Sequence, residues 1–351
     1  ETLSVTIAGV PEGASLSAGT RNADGTWTLS SADLAGLTLT PPADFSGDIA
    51  LTVTATAAEA NGSTATTTAD LTVTVAPVAD APELTVADAS GDEDAAIALD
   101  LSAALTDTDG SETLSVTIAG VPEGASLSAG TRNADGTWTL SGADLAGLTL
   151  SPPADFSGAI ALTVTATATE ADGSTATTTA DLTVTVQGVA NAPELTVADA
   201  AGAEDAAIPL DLGAALTDAD GSETLSVTIA GVPDGANLSA GTRNADGTWT
   251  LTGGQLAGLT LTPPVDFSGD IALTVTATAS EANGSTATTT ADMTVTVAPV
   301  ADAPELTVAD ASGDEGTAIA LDLGAALTDT DGSETLSVTI AGVPEGASLS
   351  A

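Results

Sequence analysis

The amino-acid sequence predicts an all-β chain of tandem Greek-key β-sandwich domains arranged end to end. Three observations carry that expectation. The phrase ETLSVTIAGV begins at Glu1, Glu112, Glu223 and Glu334, a constant step of 111 residues with no insertion or deletion. A period that long exceeds the roughly 20 to 50 residues of solenoid repeats, which cannot bury a core singly, and matches one independent domain of about 100 residues. Within a repeat, apolar and Thr residues alternate with period 2, and the alternating runs are separated by Asp-Gly or Asn-Gly turns, as in strands with one face in a core and one in water.

In the second repeat the expected strands run in order over 83–87, 95–101, 113–120, 124–128, 136–141 and 147–150, followed by a long hairpin of 159–169 with 175–186. Pro82 opens the first strand, because the step before a proline is held extended. Trp138 lies in the strand written DGTWTL, and its counterparts are Trp27 and Trp249; each indole is expected in the core or against the neighbouring sheet. In the hairpin, Leu162, Val164 and Ala166 face opposite to Thr163, Thr165 and Thr167, and Leu182, Val184 and Val186 face opposite to Thr183 and Thr185. The turn between them, EADGS at 170–174, is EANGS in the repeats on either side. Strand count, repeat length and turn spacing together point to the sandwich, and helix signals are negligible. Boundaries fall best at the VADAPELTV and VANAPELTV junctions (78–86, 189–197, 300–308). They give complete domains at 81–191 and 192–302 and partial ones at 1–80 and 303–351. The X-Pro junction is short and stiff, so neighbours are expected to line up.

Composition narrows the function. The net charge is -46, from 49 acids against three basic side chains, Arg21, Arg132 and Arg243. With 43% apolar residues the chain folds rather than staying disordered. A polyanion of this kind repels nucleic acid and anionic lipid. Without Cys there are no disulfides, and without Lys there is no lysine isopeptide crosslink. No apolar run is long enough to span a membrane, and no basic signal-peptide start is present; the opening at Glu1 without Met reads as a window within something longer. His, Cys, Lys and Tyr are all absent, which removes nucleophilic triads, Schiff-base lysines and His-based metal sites and argues against an enzyme.

The acids fall on a schedule. Because successive turns alternate ends of a sandwich, Glu93 and Asp94 (GDED) and Asp155 (PPADFSG) belong to one end. Asp107, Asp109 and Glu112 (TDTDGSE), with Glu170 and Asp172, belong to the other. The same logic places Asp44, Glu204, Asp205 and Asp266 with the first set, and Asp218, Asp220, Glu223, Asp329, Asp331 and Glu334 with the second. Stacked domains then set opposite ends face to face around Asp80, Asn191 or Asp302 of the junction. Without a hard divalent cation so many carboxylates would repel, and irregular all-oxygen sites suit Ca²⁺ better than Mg²⁺. A lone EF-hand does not fit, since the twelfth position from Asp107 is Ile118.

These residues resemble cadherin-like Ig-fold repeats, in the tandem form found in giant bacterial RTX adhesins and biofilm-associated proteins. The resemblance runs along the whole chain through the early Glu-Asp, the Asp-x-Asp-Gly, the PPADFSG turn, the EADGS turn and the Asp-Ala-Pro junction. It implies Ca²⁺ at each junction. The first would use Asp44, Asp80, Asp107, Asp109 and Asp172. The second would use Glu93, Asp94, Asp155, Asn191, Asp218 and Asp220, with Glu281 and Asn283. The third would use Glu204, Asp205, Asp266, Asp302, Asp329 and Asp331. It also implies a non-enzymatic role at the bacterial cell surface, as a calcium-stiffened extender in adhesion or biofilm formation whose partners are neighbouring repeats. Two alternatives stay open: a subunit of a self-assembling matrix fibre or surface layer, joined to identical chains, and a calcium-dependent carbohydrate-binding module. The family's glycine-rich nonapeptide repeat is absent, and the junctions carry fewer acids than a cadherin's.

Overall fold

The computed structural model describes residues 1–107, 109–218, 220–329 and 331–350, so the variable residue of each Asp-x-Asp-Gly motif lies outside the described set. The chain divides into two compact units, Glu1–Gln187 and Gly188–Ala351. Each is all-β and built from two-layer sandwiches of Ig-like type.

In the first unit, residues 83–187 form a sandwich around a core that includes Val116, Ile118, Leu150, Leu162 and Val184. One layer is a six-stranded sheet in the order Thr131–Arg132, Trp138–Ser141, Thr113–Ala119, Gly158–Thr169, Thr175–Gln187, Ala89–Asp92. Opposite it lie Ile97–Ala98, Thr149–Ser151 and Ser126–Leu127, and the pair Leu101–Ala104 with Glu83–Val86. Residues 1–80 add a second core, with Val5, Ile7, Leu29 and Ile49, under a five-stranded sheet. In the second unit a third core, with Val227, Ile229, Leu261 and Val295, repeats the six-stranded order from Ala200–Ala203 to Thr242–Arg243. Beyond it Glu305–Val308 pairs with Leu323–Ala326.

The long hairpin shows why this sequence chooses this fold. Leu162, Val164, Ala166, Leu182, Val184 and Val186 are buried, while on the other face Thr163 bonds Asp181 at 2.9 Å and Thr165 meets Thr179 at 3.2 Å. A one-residue slip would exchange those faces, so the alternation fixes the register. At the tip, Gly173 has φ +88°, and the turn closes through Gly173 N–H to Glu170 O at 2.9 Å and Glu170 N–H to Ser174 O at 3.0 Å. The tryptophans pack against their respective cores.

Two features differ from the sequence expectation. The single strand expected at 95–101 is two short strands serving different partners: Ile97–Ala98 pairs with Thr149–Ser151, and Leu101–Ala104 with Glu83–Val86. Before it, Ala89–Asp92 crosses to the other sheet and runs parallel to Thr175–Gln187. Close approach permits the crossing, since a Cβ on Gly91 would stand 2.7 Å from Ile97 Cγ1; small residues carry no alternation signal. The second feature is a 3₁₀ turn at Gly142–Leu145 that buries Leu145. Asp144 Oδ2 accepts from Ser141 N–H at 2.8 Å and from Ser141 Oγ at 2.7 Å, and these two bonds hold the Asp144 carboxyl below its usual range, the hydroxyl most of all. No helix among the described residues is long and apolar enough to cross a membrane.

The first strand is tied to the hairpin by Thr178, whose Oγ donates to Pro82 O at 2.6 Å. Thr178→Val leaves that carbonyl without its hydroxyl partner and is expected to cost about 1–2 kcal/mol, read as a lower urea midpoint with unchanged slope.

Candidate functional site

At one end of the sandwiches, turns are built on left-handed aspartates, two in each of the sandwiches around residues 83–187 and 194–298 and one in residues 1–80. Asp44, Asp94, Asp155, Asp205 and Asp266 all have φ between 55° and 59°, a region Asp tolerates better than most residues because its short side chain bonds locally. The turns are tied in pairs: Asp94 Oδ1 accepts from Asp155 N–H at 3.2 Å, and Asp205 Oδ1 from Asp266 N–H at 3.4 Å. The neighbouring glutamates are buried, Glu93 at 3% and Glu204 at 4% exposure. Backbone bonds from Glu93 N–H to Gln187 O and from Glu204 N–H to Ala298 O fix them beside the last strand.

At the opposite end the Asp-x-Asp-Gly motif folds as successive side-chain turns. Asp107 Oδ1 accepts from Asp109 N–H at 2.7 Å, and Asp109 Oδ1 accepts from Ser111 N–H at 2.7 Å. Asp218, Asp220 and Ser222 repeat the pattern at 2.8 and 2.6 Å, as do Asp329, Asp331 and Ser333 at 2.8 and 2.6 Å. The third acid reaches the junction: Glu112 Oε1 accepts from Asp80 N–H at 2.7 Å, Glu223 Oε1 from Asn191 N–H at 2.6 Å, and Glu334 Oε1 from Asp302 N–H. Glu204 Oε1 accepts from Val300 N–H, so the last junction is held by a carboxylate on each side.

These turns bring specific acids together. In the first unit, Asp107, Glu112 and Glu170 each place one oxygen within 4.8 Å of the others, and a pocket of about 220 Å³ is lined by Asp44, Asp80, Asp107 and Glu170. In the second unit two trios meet the same criterion, Glu204 with Asp329 and Asp331, and Asp205 with Asp266 and Asp302. The sequence had placed both Glu170 and Asp172 in one turn. The structure brings Glu170 to the cluster, where its Oε1 accepts from Ser111 Oγ at 3.1 Å. Asp172 instead accepts from Ser174 N–H at 2.8 Å. Likewise Glu281 accepts from Ser222 Oγ at 2.7 Å, while Asn283 donates to Gly188 O at 2.7 Å. A sequence signal existed: Glu is present at this place in all three turns, whereas the third turn position alternates Asn, Asp, Asn.

The electrostatics are one-sided. Burial pushes the Glu223 carboxyl above its ordinary value, the carboxylates of Asp218, Glu281 and Asp220 push it further, and the Asn191 N–H opposes them. Burial also raises Asp266, followed by the charges of Asp205, Asp329, Asp302 and Asp331. No basic side chain answers them, since the one ion pair among the described residues is Arg243 with Asp234 at 2.6 Å. Yet Oε2 of Glu112, Glu170, Glu204, Glu223 and Glu334, and Oδ2 of Asp218, are buried without a hydrogen-bond partner. A buried, unpaired carboxylate oxygen is costly unless a proton or a cation meets it. The donor set is oxygen only, irregular and multiply charged, and it fits a hard cation of Ca²⁺ type.

The family model described as bacterial Ig domain matches residues 75–185. No curated protein matches the chain. Among solved structures, the chain is similar to protocadherin gamma B2 extracellular cadherin domains 3-6, at 16% identity over 85% of this chain and 69% of that one, with a TM-score of 0.37. It is also similar to mouse cadherin-23 EC22-24, at 14% identity over 85% of this chain and 87% of that one, with a TM-score of 0.37.

Proposed function

We propose that this chain is a calcium-binding extender of a bacterial surface adhesin, in which Ca²⁺ at the junctions between repeats stiffens the array. The observation that carries the reading is the set of buried carboxylate oxygens that no protein donor meets, gathered where a junction segment passes. In the first unit Asp107, Glu112 and Glu170, with Asp44 and Asp80 across the pocket, would hold the ion. In the second unit the trios Glu204, Asp329, Asp331 and Asp205, Asp266, Asp302 would hold ions side by side. Ca²⁺ would supply the positive charge the sequence lacks, and the bonds donated by the Asp80, Asn191 and Asp302 N–H groups to the Glu112, Glu223 and Glu334 carboxylates would keep the ligands in register. Repetition of one surface along the chain favours a role in reach and stiffness over recognition of a single ligand, and the bacterial Ig domain match supports placement outside the cell.

The test is calorimetric titration of the 351-residue chain with Ca²⁺, alongside small-angle X-ray scattering in Ca²⁺ and in excess chelator. Saturable binding at sub-millimolar Ca²⁺, with a longer and less variable particle, is expected. Absence of binding would leave a passive spacer.

A further inference from the structure

The second aspartate of the Asp-x-Asp-Gly motif has bonds that the cation reading does not require. Asp109 Oδ2 accepts from both Ser46 N–H, at 3.0 Å, and Ser46 Oγ, at 2.8 Å. Ser46 belongs to the PPADFSG turn, 63 residues earlier, under the preceding core. In the second unit Asp331 Oδ2 accepts from Ser268 N–H at 3.0 Å and Ser268 Oγ at 2.6 Å, across the same interval. The other oxygen of each is engaged within its own turn, by Ser111 and Ser333. Each of these carboxylates therefore receives three donors, two of them from a neighbouring repeat, while Asp107 joins the trio with Glu112 and Glu170. Asp331 also stands in a trio, through a carboxylate whose Oδ2 is already seated on the serine.

We propose that Ser46 with Asp109, and Ser268 with Asp331, are cation-independent fasteners that dock one repeat on the next before any ion binds. A backbone N–H and a hydroxyl converging on one carboxylate oxygen form a charge-assisted pair that fixes direction as well as distance. Docking of this kind brings Asp44 to the pocket that holds Asp107 and Glu170, and Glu204 to Asp329, without a cation to gather them. The ion then tightens a junction that is already assembled, and the serines act as positioning residues for it. The proposal stands beside the calcium reading and does not depend on it.

Because the chain has no Cys, paired labels at Glu12→Cys and Glu123→Cys report the distance across the first junction in the full chain. In excess chelator the unsubstituted junction should give a narrow distance distribution. Ser46→Ala should lose that narrow population while the melting curve of the sandwiches stays in place, and Ser46→Thr, which keeps the hydroxyl, should restore it. Ser46→Ala should still bind Ca²⁺. If Ser46→Ala matches the unsubstituted chain in chelator, or if Ser46→Thr is as broad as Ser46→Ala, the fastener is overturned. A chain that shows the fastener but no response to Ca²⁺ would overturn the calcium reading alone.

Discussion

Transfer of the chain from saturating Ca²⁺ into excess chelator is expected to lower its melting temperature by on the order of 10 °C. An ion present at about 100 times its dissociation constant stabilises the folded state by roughly 2.7 kcal/mol per site, and in a repeat of about 100 residues 1 kcal/mol corresponds to roughly 4–8 °C. Dissociation constants near 0.1 mM, the order seen in extracellular modules, would place about 10 mM calcium in that regime. The effect should be largest for the transition of the second unit, where two trios, Glu204, Asp329, Asp331 and Asp205, Asp266, Asp302, lie together. Asp266 feels Asp329 and Asp331 of the other trio as well as its own partners, so a cation in one trio lowers the negative potential at the other, and the second should fill at higher calcium than the first. Differential scanning calorimetry at fixed pH across a calcium series checks both points. A midpoint that is indifferent to calcium would mean the acids are a solvated surface and nothing more.

The parts of this structure that were legible in the sequence are those with a local signature. Period-2 alternation placed the hairpin at 159–169 and 175–186 to within a residue of Gly158–Thr169 and Thr175–Gln187, because a strand with one buried face writes its geometry into every second residue. The crossing at Ala89–Asp92 was not legible: its sequence, ASGD, is chosen for smallness beside Ile97 rather than for a face. The site divides in the same way. Turn parity sent Asp107 and Glu112 to one end, but which acid of EADGS faces them depends on twist at the hairpin tip, and the structure selects Glu170 over Asp172. The bond from Ser46 to Asp109 spans two repeats, and no periodicity within one repeat encodes it.

Glu223→Gln is expected to reverse the sign of a stability change according to whether calcium is present. Glu223 Oε1 accepts from Asn191 N–H while its buried Oε2 has no partner, and its carboxyl is held above the ordinary 4.5 by burial and by the charges of Asp218, Glu281 and Asp220. Glutamine keeps the acceptor for Asn191, removes the buried charge and offers an amide N–H to the surrounding carboxylates. In chelator at neutral pH the variant should therefore be the more stable, by roughly 1–2 kcal/mol, whereas in calcium it should be the less stable, having lost the buried carboxylate oxygen that a cation beside Asp218 and Glu281 would meet. The pH dependence follows from the same shift. A raised folded-state value means the folded chain binds the proton more tightly than the unfolded chain, so in chelator the unsubstituted protein should gain stability as pH falls from neutral through that raised value, levelling off near 4.5. This contribution should vanish in Glu223→Gln, while in calcium acidification should weaken the unsubstituted chain by displacing the ion. Urea midpoints at pH 7 and pH 5, with and without calcium, separate the cases. A variant less stable than the parent in both media would mean that Glu223 acts through packing and its bond to Asn191 rather than through its charge.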